Sequence, residues 1–287
     1  MRFINEHLDR LDTAQQRHAW LAFVVAVVKK YGDDRGSSLS ALLAYYGFLA
    51  LLPLFLVFVT VLGFVLEGDP GLRHSLVDSA VADFPVIGNE LRHNVHALRG
   101  NGLALVIGLL ALLWGSLGVA YAAQHATAEI WSVPAHERPG FAARLLRALG
   151  LLATLAAGVV GTTLISGVVA GAGNGIAFNV LGIALALTLN AALYLVGLRV
   201  LTVGSVATGD LVPGAVLGGV AWTVLQLVGG WLVTRQLRHT SELYGFFAIV
   251  LGLLFWLYLA AQILVYVSEI NAVRARRLWP RSLRHPE

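Results

Sequence analysis

Residues 244–277 read YGFFAIVLGLLFWLYLAAQILVYVSEINAVRARR, and this stretch decides the fold. From Gly245 to Val267 there is no charged side chain in 23 residues. At about 1.5 Å per residue, a helix of that length crosses a hydrocarbon core roughly 30 Å thick. Tyr258, Gln262, Tyr266 and Glu269 recur at helical spacing, so they form one polar stripe on an otherwise apolar rod. That stripe is expected to face protein, not lipid. Arg274, Arg276 and Arg277 follow within ten residues of the apolar run, as on a cytoplasmic flank.

The rest of the chain carries the same bias. Of its 287 residues, 57% are hydrophobic and 13% charged, with a mean hydropathy of +0.75. An ordinary soluble domain has about twice that charged fraction, so the composition points to an all-α polytopic membrane protein. With no cysteine there is no disulfide, thiolate nucleophile, iron–sulfur cluster or cysteine-ligated zinc. Lys29 and Lys30 are the only lysines, and most basic residues lie near expected membrane borders. Orientation and anionic headgroups explain that placement better than nucleic acid does. The apolar piece Ala19–Val28 follows a charged, polar segment and lacks a small-residue cleavage site, so no cleaved signal peptide is expected.

Hydropathy divides the chain into a cytoplasmic segment over 1–37, a six-span domain over 38–273 and a basic tail over 274–287. The piece 19–28 is too short to span and suits an amphipathic helix at the cytoplasmic surface, broken by Asp33, Asp34 and Gly36. The spans fall at about 39–66, 103–123, 149–170, 176–200, 211–233 and 245–267. Between the first two, residues 67–102 carry two helical apolar sets joined at Pro85 and Gly88, which reads as a helical cap on the outer face. The second span continues as a more polar helix toward Pro134. Pairs of small residues four apart, Gly167 with Gly171 and Gly214 with Gly218, permit close helix contacts. An even number of spans puts both termini on one side, and that side carries 15 of the arginines and lysines against 5 on the other. The positive-inside rule makes it the cytoplasm.

The chemistry available is limited. No Asp-x-Asp or His-Glu-x-x-His pattern occurs, so no metal centre, no catalytic residue and no ribonuclease activity are read from the chain. A phosphate-binding glycine loop ending in Lys-Ser or Lys-Thr is also absent, which excludes an ATP-driven pump within this chain. No cofactor is implied. What remains are polar residues in or beside the spans: Tyr45, Tyr46, Gln124, Glu129, Asn190, Arg199, Asp210, Gln226, Tyr258, Gln262, Glu269 and Asn271. Charges inside a bilayer are costly and usually face a protein interior, a pathway or a partner. Glu129, Arg199, Asp210 and Glu269 fall at span ends, where capping and structural ion pairs compete with the lining of an inward-facing cavity. Asn271 is placed to fix Glu269 through a shared network. Gln226, Asn190 and Gln262 lie deeper, either bonding across helices or forming a polar track for a headgroup. Pro53, Pro213 and Gly245 are the hinge candidates.

These residues resemble the YihY/virulence factor BrkB family of bacterial inner-membrane proteins over about Ser37 to Arg277. The resemblance is strongest in the sixth span: Tyr244-Gly245 before it, Trp256-Leu257-Tyr258 inside it and Glu269-Ile270-Asn271-Ala272 at its end. Leu43-Ala44-Tyr45-Tyr46 followed by Pro53 is a second match, and Val212-Pro213-Gly214-Ala215 a weaker third. Ala50 stands where a serine is usual and Ala248 where a glycine is usual. The resemblance implies six spans with cytoplasmic termini in the bacterial inner membrane. It implies no settled activity: members have carried an old ribonuclease label, and the family is associated with envelope integrity and with handling of lipids or other amphiphiles. The leading expectation is therefore a non-enzymatic facilitator of lipid or amphiphile movement, with membrane phospholipids as partners and a half-polar cavity among spans one, two, five and six. A scaffold acting on an envelope protein through residues 67–102 is the alternative, and an intramembrane lipid-modifying enzyme a weaker one.

Overall fold

The computed structural model describes residues 18–67, 102–171, 176–203, 206–236 and 242–281. Within them the protein is all-helical: α1 (Ala19–Asp33), α2 (Gly36–Glu67), α3 (Gly102–Ile130), α4 (Phe141–Gly171), α5 (Ile176–Leu201), α6 (Thr208–Gln236) and α7 (Glu242–Ala275), with a 3₁₀ turn at Ala135–Glu137. Helices α2 to α7 each contain a window long and apolar enough to cross a membrane. The expected cap lies outside the described residues except at its two ends, as do the first 17 residues, the outer turn at Gly173 and Gly175, and the loop containing Arg238 and His239.

Two compact units are present, one made of Met1–Tyr45 with Ala120–Glu287 and one of Tyr46–Val119. In the smaller unit, glycines bring α2 and α3 together. A Cβ on Gly115 would stand 3.0 Å from the Ala50 backbone, and one on Gly118 would stand 2.7 Å from the Tyr46 ring. The larger unit runs as a series of neighbours, α4 against α5, α5 against α6, α6 against α7, and α7 against α1. Helix α6 is the most enclosed span, with 39% of its window buried against 6% for α5. Gly214 and Gly218 are one turn apart on α6 but serve different neighbours. Gly214 accommodates the Asn271 side chain of α7, and Gly218 the Tyr194 ring of α5. The four-residue spacing thus marks two contacts, not one seam.

The helices outrun the apolar windows read from sequence. Helix α4 starts at Phe141, eight residues before the expected span, and takes Arg144 and Arg147 into its first two turns. Both arginines find partners there: the Arg144 guanidinium lies 5.0 Å from the centre of the Tyr121 ring, and Arg147 Nη1 donates to Thr202 O at 3.1 Å. Helix α7 likewise continues past Val267 to Ala275. Hydropathy measures the hydrocarbon core, whereas a helix continues for as long as its backbone and end charges are satisfied.

Helix α1 likewise runs beyond the apolar piece 19–28. It extends to Asp33, and its inner face is packed on α7: Ala26 and Val27 bury against Val273, with Phe23, Tyr266, Ile270, Leu278 and Trp279 around them. Phe23 meets Trp279 edge-on at 5.3 Å, and the Tyr31 ring stacks on Tyr266 at 4.1 Å. Trp20, Val24 and Val28, at four-residue spacing, remain exposed on the opposite face. Arg35, with φ of 54°, ends α1 in the left-handed region, and α2 starts at the next residue.

Candidate functional site

The polar stripe of α7 is met by α1. Gln262 Nε2 donates to the Tyr31 hydroxyl at 3.2 Å, and Tyr266 lies against the Tyr31 ring. One turn further along, Glu269 is fully enclosed, and its Oε2 lies 3.0 Å from the ammonium of Lys30. Lys30, only 4% exposed, also binds the Asp34 carboxylate one turn along α1 and donates to Ile130 O at 2.8 Å. One ammonium thus ties α1, the last residue of α3 and α7 together. Glu269 Oε1 has no hydrogen-bond partner among the described residues. Lys30 is thus buried in the protein, unlike the exposed Arg274 and Arg277. Its helix places it one residue from Tyr31 on the face turned to α7, where only a carboxylate balances it.

Asn271 does not join that network. Its Oδ1 accepts from Gly214 N–H at 2.9 Å and its Nδ2 donates to Leu211 O at 3.2 Å, so it grips α6 on both sides of Pro213. Two residues along a helix is about 200°, which puts Glu269 and Asn271 on opposite faces. A Cβ at Gly214 would come within 2.5 Å of the Asn271 amide, so this grip requires glycine. Pro213 and Gly245 lie inside α6 and α7, and Pro53 inside α2, all within continuous helices.

The other expected residues are dispersed. Asn190 is buried and donates to Thr223 Oγ1 of α6 at 3.0 Å. Gln124 is buried and donates to Arg144 O at 3.1 Å, while its own Oε1 has no partner among the described residues. Glu129 is half exposed and paired with Arg138 at 2.8 Å, with His125 beside it. Arg199 Nη1 donates to Val206 O at 3.3 Å on the surface. Tyr45 is exposed, while Tyr46 and Tyr258 are half-buried. The contacts of Gly214 with Asn271 and of Gly229 with Trp256 put Gln226 and Glu269 about 15 Å apart along the α6–α7 pair.

Gln226 stands apart from the rest. It lies inside the apolar window Thr208–Gly229 yet is exposed, among exposed Val220, Val224, Leu227 and Val228. Asp210 has a different setting. It lines a cavity of about 450 Å³ together with Trp131, Pro134, Glu137, Val206 and Arg276. Arg276 donates to Trp131 O and its guanidinium lies 5.8 Å from the centre of that indole. Asp210 has no ion pair or side-chain hydrogen bond among the described residues. Lys30, Trp131 and Arg276 are the residues sequence reading passed over. The signal for Lys30 was its singularity: the chain uses arginine throughout and lysine only at 29 and 30.

Six apolar helices with polar groups sorted between sealed junctions and open faces define an integral, multi-pass helical membrane protein. A family model described as virulence factor BrkB matches residues 27–286, and the chain belongs to that family. It is 26% identical over 271 residues to an uncharacterized protein of Dickeya dadantii, covering 86% of this chain and 81% of that one. It is 21% identical over 276 residues to the inner membrane protein YhjD of Escherichia coli, covering 88% and 81%. No solved structure matches.

Proposed function

We propose that the protein is a non-enzymatic facilitator of amphiphile movement, acting on a phospholipid or envelope precursor in the bacterial inner membrane, with both termini in the cytoplasm. The inner-membrane setting draws on the relative named for it, and the orientation on the excess of arginine and lysine at the end holding both termini.

The observation that carries the reading is Gln226. An amide moved from water into hydrocarbon without a hydrogen bond costs about 4–8 kcal/mol. A membrane helix normally turns such a group inward, as α5 does with Asn190. Gln226 instead sits among exposed valines and leucines. A headgroup passing along α6 would find there a donor and an acceptor at hydrocarbon depth, a polar step in a surface otherwise suited to acyl chains.

The test is transbilayer movement of fluorescent phospholipids in liposomes, comparing the protein, Gln226→Leu and empty vesicles at matched reconstitution. Movement above empty vesicles that falls severalfold in folded Gln226→Leu is the expected result. Equal movement in both proteins, or loss of self-association in place of lipid movement, would overturn the role of this amide.

A further inference from the structure

The cavity beside Asp210 lies where three span windows end: Leu105–Ile130 finishes next to Trp131, Thr208–Gly229 begins two residues before Asp210, and Val250–Ala275 finishes next to Arg276. Its size is within the range of small-molecule sites, roughly 300–1,000 Å³. Its walls carry one guanidinium, from Arg276, and two carboxylates, from Asp210 and Glu137, among Pro134 and Val206. The Arg276 hydrogen bond to Trp131 O holds the guanidinium at the wall and leaves most of its five donors available. Asp210 is half-buried with no partner of its own among the described residues. A simple anion entering here meets the two carboxylates, and a simple cation meets the guanidinium. A ligand with both charges meets neither penalty.

We infer that this cavity binds an aminoalkyl phosphate, a phosphate ester bearing a primary ammonium, with the phosphate on Arg276 and the ammonium on Asp210. Guanidinium suits phosphate through its fork of donors, and a carboxylate suits an ammonium through a charge-assisted hydrogen bond. Such a group occurs as a phospholipid headgroup and as a free metabolite. The convergence of span ends favours the lipid, since a headgroup held there leaves its acyl chains level with hydrocarbon. The inference stands on this cavity and takes from the amphiphile reading only the step from binding to movement.

The full chain, purified in detergent, is assayed for retention of short-chain phosphatidylethanolamine and phosphatidylglycerol by native mass spectrometry, with phosphoethanolamine as soluble competitor. A preference of about tenfold for the ethanolamine lipid is expected, the size of one charge-assisted hydrogen bond. Asp210→Asn, near-isosteric and therefore foldable, brings the two lipids to parity by lowering only the ethanolamine lipid; Arg276→Gln lowers both. Displacement by phosphoethanolamine at affinity equal to the lipid's assigns the same site to the free compound. Equal retention of both lipids by the unmodified chain, or an undiminished preference in Asp210→Asn, overturns the proposal. Preference retained in Gln226→Leu protein that no longer moves lipid separates this site from the path along α6.

Discussion

Glu269 on α7 and Gln226 on α6 are both polar side chains within apolar spans, and the protein treats them in opposite ways. Glu269 is sealed, with the Lys30 ammonium at 3.0 Å, and Asn271, two residues on, is committed to two backbone groups of α6. Gln226 is exposed among aliphatic side chains. The difference teaches that polarity at membrane depth is not by itself a functional signal. A residue whose partners lie inside the protein supports the fold, and one whose partners do not is the better place to look for an outside ligand. By that criterion Glu269, Asn271, Asn190 and Gln262 belong to the scaffold, while Gln226 and Asp210 face outward.

The largest expected effect comes from stranding the sealed carboxylate. Lys30→Met strips the enclosed Glu269 carboxyl of its counter-ion, and should cost up to about 3–5 kcal/mol in the unfolding of detergent-solubilised protein. The double replacement Lys30→Met/Glu269→Met should recover most of that loss, because two apolar groups need no pairing. A single variant as stable as the parent would erase the contrast by showing that Glu269 is not held by Lys30.

A smaller loss is expected where Asn271 grips α6. Asn271→Leu removes partners from Gly214 N–H and Leu211 C=O and should cost about 1–3 kcal/mol, read from the same thermal transition. Gly214→Ala should cost a comparable amount by displacing the Asn271 amide. If Gly214→Ala proves neutral while Asn271→Leu does not, the amide relocates, and α6 is gripped less tightly than these distances imply. Asn190→Leu, which breaks a single interhelical bond to Thr223, should cost about 0.6 kcal/mol. Gln226→Leu closes the series with no loss of thermal stability at all, since it removes an exposed amide. A measurable loss there would move Gln226 to the scaffold side and sink the distinction.

The sequence revealed the helices more fully than their connections. Uncharged runs such as Gly245–Val267 require membrane-length helices on thermodynamic grounds, and all six expected spans correspond to helices here. Their ends were less legible, because Arg144, Arg147 and Arg274 stay helical by finding partners or solvent beyond the hydrocarbon. The candidate site was legible only as a set of polar positions. Lys30 and Glu269 are far apart in the chain, and no local pattern pairs them. Helical angle alone separates Asn271 from Glu269, yet proximity in sequence suggested a shared network. The cavity at Asp210 was hidden because its walls come from three separate segments, each unremarkable by composition.

The docking of α1 on α7 also constrains the order of assembly. Every described partner of α1 in that junction apart from Ile130 and its own Asp34 lies at or beyond Gln262. During synthesis at roughly 5–20 residues per second, about 240 residues must follow Lys30 before Glu269 exists, a delay on the order of 10–50 s. Throughout that interval the ammonium lacks its α7 carboxylate, and the exposed Trp20, Val24 and Val28 suit α1 to rest at the bilayer surface. Emergence of the sixth span then recruits the first helix, so closure of this junction reports that the sixth span has been translated.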